Sequence, residues 1–352
     1  MQQPDPDKLN AFIGRILGDI GAVGSGALVL LGDSLGLWRA MGDGEPLTAG
    51  ELAYRTSTRE RYVLEWLSAM AAAGYVAYDA GADKFHLTPE QATVFANEDS
   101  PAAMTGAFEV FASMWLDQAK VAEAFKTGKG VGWHEHDACL FRGTERFFRP
   151  GYTANLVSAW LPALSGVVDK LQAGARVADV GCGHGASTIV MARAFPKSQF
   201  FGFDYHPPSV ERARKQAADA GVAGNTTFDV AQAKTFTGTY DLVAFFDCLH
   251  DMGDPVGAAG HVRETLAPDG TWMIVEPFAN DRLSDNLNPV GRVYYAASTM
   301  ICTPASLAQE VGLGLGAQAG ELRLRKVVTA GGFTRFRRAA ETPFNLVLEA
   351  RP

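Results

Sequence analysis

Apolar and polar positions along this chain repeat with two different periods, and the change from one to the other divides it. From residue 8 to residue 20, Leu9, Phe12, Ile13, Ile16, Leu17 and Ile20 recur at helical spacing and predict one amphipathic helix. The next apolar segment, GAVGSGALVLLGDSLGLW, is rich in small residues, a surface suited to close helix approach within the chain or between two copies. Its apolar run at 22–31 is broken by Gly24, Ser25 and Gly26 and closed by Asp33, which reads as too short to cross a bilayer. Over residues 46–89, Thr48 with Glu51 three positions later marks a capped helix, and a second helix follows through Leu64, Leu67 and Met70. Two short strands, YVAYD and KFHLT, joined by the turn AGAD, complete a winged-helix pattern. Residues 100–165 read as helical and aromatic-rich, with Phe108, Phe111 and Trp115 as a core stripe.

The second half changes period. Short apolar runs, ARVADV, QFFGFD, TTFDV, DLVAFFD and TWMIVEP, alternate with helical stretches such as VERARKQAADA and PVGAAGHVRETL. That alternation predicts an α/β fold around a parallel sheet. The last two runs, FTRFRR and FNLVLEA, lie close across AAETP and predict an antiparallel hairpin. Gly312, Gly314 and Gly316 follow a helix rather than a strand and read as a connector. Three regions are expected: a helical winged-helix and dimerisation domain at 1–95, a helical connector and lid at 96–165, and a cofactor-binding domain at 166–352.

The stretch VADVGCGHG carries the most chemistry. A buried strand leads to Asp179, and Gly181, Gly183 and Gly185 alternate before the helical run ASTIVMARAF. Such a loop lets backbone N–H groups approach a ligand, and the following helix N-terminus favours an anionic group. Nineteen residues past Gly185, a second strand ends on Asp204, the spacing at which a carboxylate meets ribose hydroxyls. Read as Gly181-x-Gly183-x-x-Ala186, the loop also satisfies the dinucleotide fingerprint, so a nicotinamide oxidoreductase is a rival. Asp179 argues otherwise. A carboxylate two residues before the first glycine faces a pyrophosphate badly but suits the ammonium of S-adenosylmethionine.

The loop resembles the first motif of the class I S-adenosylmethionine-dependent methyltransferases. With its N-terminal winged helix, nearly the whole chain resembles the small-molecule O-methyltransferases and related actinobacterial proteins often described as transcriptional regulators. The resemblance implies a seven-stranded, doubly wound, Rossmann-like sheet with S-adenosylmethionine as cofactor. It implies that Asp179, Gly181, Gly183 and Gly185 hold the methionine end, that Asp204 binds the ribose and that Tyr205 lies against the adenine. Gln232, with Ala233 beside it, stands where many relatives place an acidic contact to the adenine amino group, and Asp247 joins the cofactor set. In FFDCLHDMGDP, the pair His250-Asp251 followed by Met252 resembles the segment holding the catalytic histidine of the plant enzymes, which implies His250 as general base. Glu276 ends the fifth strand at the edge where α/β ligands bind. Tyr294 and Tyr295 lie in the long irregular stretch beyond it, as acceptor-pocket residues or as core.

Composition narrows these readings. Acidic residues outnumber basic ones, 39 to 31, for a net charge of −8. Over residues 1–95 the balance is twelve to seven, which opposes nucleic acid as a partner and a ligand-sensing transcription regulator as the function. Four cysteines without C-x-x-C spacing, and an N-terminus without a signal-like core, suggest reduced thiols in the cytoplasm and no membrane partner. His134 and His136 lack a third ligand at a recognisable spacing, so no metal is expected and their segment reads as a polar loop over the active-site mouth. The expected activity is methyl transfer to a small, aromatic or hydrophobic hydroxyl compound by a homodimer. N-, C- or S-methylation stays open.

Overall fold

The computed structural model describes residues 3–352, which form two compact units. The first runs up to Ala112 and includes Arg142–Pro150. Its long helix α1 (Pro6–Ser34) starts at Asp5, whose carboxylate accepts the N–H groups of Asp7 and Lys8. Helices α2 (Leu37–Ala40), α3 (Ala49–Arg55) and α4 (Glu60–Ala72) follow, and the expected Thr48–Glu51 capping box opens α3. Strands β1 (Ala77–Asp79) and β2 (Lys84–His86) pair antiparallel as the wing.

Aromatic rings fill this unit's core. Trp38 stacks on Phe95 and meets Trp66 edge-on, each at a centroid distance of 4.6 Å. Helix α1 reaches the two indoles because Gly32 has no side chain. A Cβ there would lie 2.5 Å from the Trp66 ring and 2.8 Å from Trp38 Nε1. Leu67 and Met70 are buried in α4 as expected, but Leu64 is exposed, and Val63 and Trp66 take the inward positions instead. The predicted apolar row of α1 is helical and uncovered, from Ile16 at 39% exposed to Leu17 and Ile20 at 63%. Helix α1 also runs straight through the glycines that were expected to interrupt it. It has 29 residues, and an 18-residue stretch of it reaches a mean hydropathy of 1.5, so by length and composition it is long and apolar enough to cross a membrane.

The second unit comprises Ser113–Phe141 and Gly151–Pro352, so the stretch expected as a separate connector is shared between the two units. Its sheet holds β3 (Arg176–Val180), β4 (Gln199–Asp204), β5 (Thr226–Val230), β6 (Tyr240–Phe246), β7 (Leu266–Pro277), β8 (Arg335–Glu341) and β9 (Asn345–Arg351). The spatial order is β5-β4-β3-β6-β7-β9-β8. The first five strands in this order run parallel, and the closing hairpin is antiparallel. Helices Ala186–Ala194 and Pro207–Asp219 pack on β4 and β5, while Pro255–Thr265 and Gly320–Ala330 pack together beside β7 and β8. Strands β6 and β7 are buried almost throughout, which explains why they read as continuous apolar runs. The order reverses direction beside β3, where β4 leaves to one side and β6 to the other. Ligands of open α/β sheets bind at the carboxyl ends of such a pair. The string Gly312–Gly316 is a connector as expected, bonded back to Gly253 and His250. Trp115 departs from the expected core stripe and is 63% exposed.

Candidate active site

The glycine loop leaves β3 and turns back on β4. Gly181, Gly183 and Gly185 have φ of 76°, 52° and 82°, all in the left-handed region. A Cβ at Gly181 would also meet Cys248 Sγ at 2.8 Å, so the loop needs glycine there for space as well as for conformation. The N–H groups of Gly181 and Cys182 both donate to the Phe203 carbonyl, Gly183 donates to Asp204 Oδ2, and Gly185 to the Cys182 carbonyl. Four loop amides expected to face an anion are therefore committed inside the protein. A pyrophosphate needs those amides, so the dinucleotide reading loses its main donor set.

Asp179 and Asp204 mark the two sides of the loop. Asp179 is buried, and its Oδ2 accepts the hydroxyls of Ser187 and Thr188 at 2.6 Å each. Its Oδ1 is buried with no hydrogen-bond partner. Burial, against those two hydroxyls, pushes the carboxyl up to about 6. An oxygen left unmet inside a protein points to a cationic or hydrogen-bonding ligand. Asp204 accepts Gly183 N–H at 3.0 Å and His206 N–H at 2.9 Å, and burial raises it. Tyr205, beside it, is 42% exposed.

The third part of the site is the end of β6. Asp247 adopts φ 51°, a left-handed conformation that is uncommon for a residue with a side chain. It accepts Tyr152 Oη–H at 2.9 Å and Asn345 Nδ2–H at 3.2 Å, and burial pushes it up to about 8. In the following turn, His250 is 2% exposed and held from both sides. Its Nδ1 lies 2.5 Å from Glu276 Oε2, and its Nε2 lies 3.1 Å from Asp251 Oδ1. Burial alone would lower the imidazole, but the Asp251 and Glu276 carboxylates outweigh it and hold it well above its ordinary value. The two carboxylates hold the ring in place and favour a proton on it.

Other expected pocket residues sit differently. Glu276 is 1% exposed, and its second oxygen accepts Leu249 N–H at 2.9 Å. It stands behind His250 rather than on an accessible wall. Tyr294 is also buried and donates to the Phe344 carbonyl, which makes it part of the core; Tyr295 is half-buried. Gln232 is exposed, and its backbone closes a turn with Thr235, while Ala233 packs on the core.

The stretch containing His134 and His136 spans the carboxyl edge. Val131 N–H donates to the Pro304 carbonyl, His134 meets Tyr205 edge-on, and Phe141 stacks on His206 at 4.8 Å. Asp117 anchors this strap by accepting from His136 Nδ1, Asp137 N–H and Lys120 Nζ. His134 and His136 thus serve different neighbours. Asp117, Tyr152, Asn345 and Cys302 carry no local motif and arrive from distant segments. Ser187 and Thr188 were findable, as hydroxyls opening the helix after the glycine loop.

Residues 171–318 match the methyltransferase domain family, and residues 24–97 match the Rv2258c-like winged HTH domain. The chain carries a methyltransferase domain behind a winged helix-turn-helix domain. A stretch of 118 residues is 37% identical to trans-aconitate 2-methyltransferase of Streptomyces coelicolor, covering 32% of this chain and 38% of that protein. The match to the same-named protein of Streptomyces avermitilis is 30% over 115 residues, 43% of its length. The chain thus aligns with less than half the length of these curated relatives. Its whole fold is similar to that of mitomycin 7-O-methyltransferase, with a TM-score of 0.68 at 20% identity over 98% of this chain and 100% of that one. It is also similar to human N-acetylserotonin methyltransferase, solved with S-adenosylmethionine, with a TM-score of 0.67 at 16% identity over 100% and 99% of the two chains. At those identities the likeness is one of fold.

Proposed function

We propose that this protein transfers the methyl group of S-adenosylmethionine to a hydroxyl of a small aromatic or hydrophobic acceptor. The unmet Oδ1 of Asp179, at the end of β3 inside a matched methyltransferase domain, is the observation that carries the reading. It suits the cofactor's ammonium, while Asp204 suits the ribose and Tyr205 the adenine. Asp247 lies toward the sulfonium in this reading. Methyl transfer is a displacement at a carbon already activated by sulfur, so the protein's work is alignment and removal of the acceptor's proton. That removal is assigned to the cluster of His250 with Asp251 and Glu276, not to a free imidazole. Glu276 is a positioning residue in it, and Tyr295 remains the better placed of the two tyrosines to line the acceptor pocket. The names of relatives that act on trans-aconitate and mitomycin support a small-molecule acceptor.

The uncovered apolar row of α1 supports a homodimer, since a contiguous exposed apolar surface marks an association site. In the winged helix, Arg61 pairs with Glu65 on the exposed face of α4, which leaves little positive charge to meet a phosphate backbone. The four cysteines form no disulfide with one another, which fits a reducing cytoplasm.

Calorimetry with S-adenosylmethionine and with NAD tests the cofactor. Only the first should bind, and Asp204→Ala should weaken it by roughly 2 to 3 kcal/mol, the scale of charge-assisted hydrogen bonds. Unchanged affinity in a variant that folds by circular dichroism removes Asp204 from the site. For assembly, light scattering should report a dimer that Leu17→Glu with Ile20→Glu converts to monomer. A wild-type monomer that binds duplex DNA tightly at physiological salt would reverse that reading.

A further inference from the structure

The strap from Gly130 to Phe141 is fixed at its start, in its middle and at its end. At the start, Gly130 packs so closely on the helix Thr303–Leu307 that a Cβ would lie 2.3 Å from the Pro304 carbonyl oxygen. Its φ of 75° also demands glycine, and Val131 N–H donates to that same carbonyl at 3.0 Å. In the middle, the buried Asp117 accepts from His136 Nδ1 and Asp137 N–H at 2.9 Å each, and from Lys120 Nζ at 2.7 Å. Lys120 donates to the Glu135 carbonyl as well. Burial would raise the Asp117 carboxyl, but Lys120, the Asp137 N–H and His136 hold it below its ordinary value. A buried carboxylate is costly to desolvate and persists only when its oxygens are met, so it makes a rigid anchor. At the end, Phe141 stacks on His206 at 4.8 Å, and His134 meets Tyr205 edge-on at 6.1 Å. Trp133 braces this row, edge-on to Phe141 at 6.0 Å and to His136 at 6.4 Å. His206 in turn donates its N–H to Asp204 Oδ1 at 2.9 Å. A continuous set of contacts therefore joins Asp117 to Asp204.

We propose that Asp117 is a positioning residue for the nucleoside half of the cofactor. By pinning the strap on Tyr205 and His206, it slows the escape of a bound nucleoside. The proposal rests on the reading of Asp204 and Tyr205 as ribose and adenine contacts. Tyr205 and His206 follow Asp204 directly, whereas Asp179 and Asp247, assigned to the ammonium and the sulfonium, lie in β3 and just past β6. A loosened strap therefore acts on every ligand that carries the nucleoside and is indifferent to the charge on sulfur.

The test measures dissociation of S-adenosylmethionine, S-adenosylhomocysteine and adenosine from the full chain by surface plasmon resonance. Asp117→Asn keeps the size of the side chain and removes the charge that Lys120 and His136 meet. All three ligands should then leave about tenfold faster, by the same factor, the scale of one lost hydrogen bond. Gly130→Ala loosens the strap from its other anchor without touching Asp117 and should have the same effect. Lys120→Met removes a single donor and should give a smaller change in the same direction, which keeps the test open if Asp117→Asn fails to fold. A residue that only stabilises the fold would lower the number of chains able to bind and leave the dissociation rate of the rest unchanged. Folded variants with wild-type dissociation rates, or with a change confined to S-adenosylmethionine, overturn the proposal. If Asp204→Ala still weakens binding in that case, the cofactor reading stands and only the positioning role falls. A wild-type chain that binds none of the three ligands overturns the cofactor reading, and this proposal with it.

Discussion

The winged-helix core and the carboxyl edge of the sheet are both well buried, yet they treat their polar atoms in opposite ways. In the core both indoles are satisfied: Trp38 Nε1 donates to the Val29 carbonyl at 2.9 Å and Trp66 Nε1 to the Leu28 carbonyl at 2.8 Å. His86 Nδ1 in the wing is an exception. At the sheet edge, Asp179 Oδ1 and Asp251 Oδ1 are buried without hydrogen bonds, and Asp247 holds a left-handed backbone. An unmet buried oxygen costs about 1–3 kcal/mol. The first region is built for packing. The second retains strain and unmet polarity where a ligand would relieve them.

Four measurements test this contrast. The largest effect is expected from His250→Gln, which should keep S-adenosylmethionine affinity and lower turnover about 10²- to 10⁴-fold, the usual worth of acid–base assistance. Turnover near wild type on the true acceptor would detach His250 from the chemistry. Gly32→Ala should act on the packing region alone. Its new methyl meets two indole rings, so overpacking should cost about 1–3 kcal/mol in denaturant unfolding, with cofactor affinity unchanged. A neutral or stabilising result would mean that the indoles move aside easily.

The third measurement is the pH dependence of cofactor affinity. Burial raises Asp247 to about 8 and Asp179 to about 6, so both carboxyls must lose a proton to face a cation. Affinity for S-adenosylmethionine is then fullest above both values and falls as pH drops through them, by up to about tenfold per unit for each proton released. S-adenosylhomocysteine lacks the sulfonium charge and should lose the Asp247-linked part. Identical profiles for the two ligands would move Asp247 away from the sulfonium. The smallest effect is expected from Gln232→Ala, at most about 1 kcal/mol in cofactor affinity, because one exposed amide contributes a single neutral hydrogen bond.

The glycine loop and its two flanking carboxylates were legible because their spacing is local. Asp179, the three glycines and Asp204 lie on consecutive elements of one strand–helix–strand unit, where chain geometry alone brings them together. The role of Glu276 was not legible. Its place at the end of β7 is plain, but whether it faces an acceptor or His250 depends on the turn Leu249–Asp251, which reaches it across the sheet.

Local pattern set the order of strands and helices, the winged-helix pattern and the closing hairpin, because periodicity and turn residues act over a few positions. It also determined the apolar row on α1, since helical spacing alone defines a face. Long-range packing settled that this row stays uncovered, that Leu64 yields its inward place to Trp66, and that the loop amides turn back on Phe203 and Asp204. It alone also brought Cys302, Tyr152 and Asn345 to the carboxyl edge, from positions tens of residues away. Burial and hydrogen-bond satisfaction are set by which distant segments pack together, and a one-dimensional pattern does not specify that.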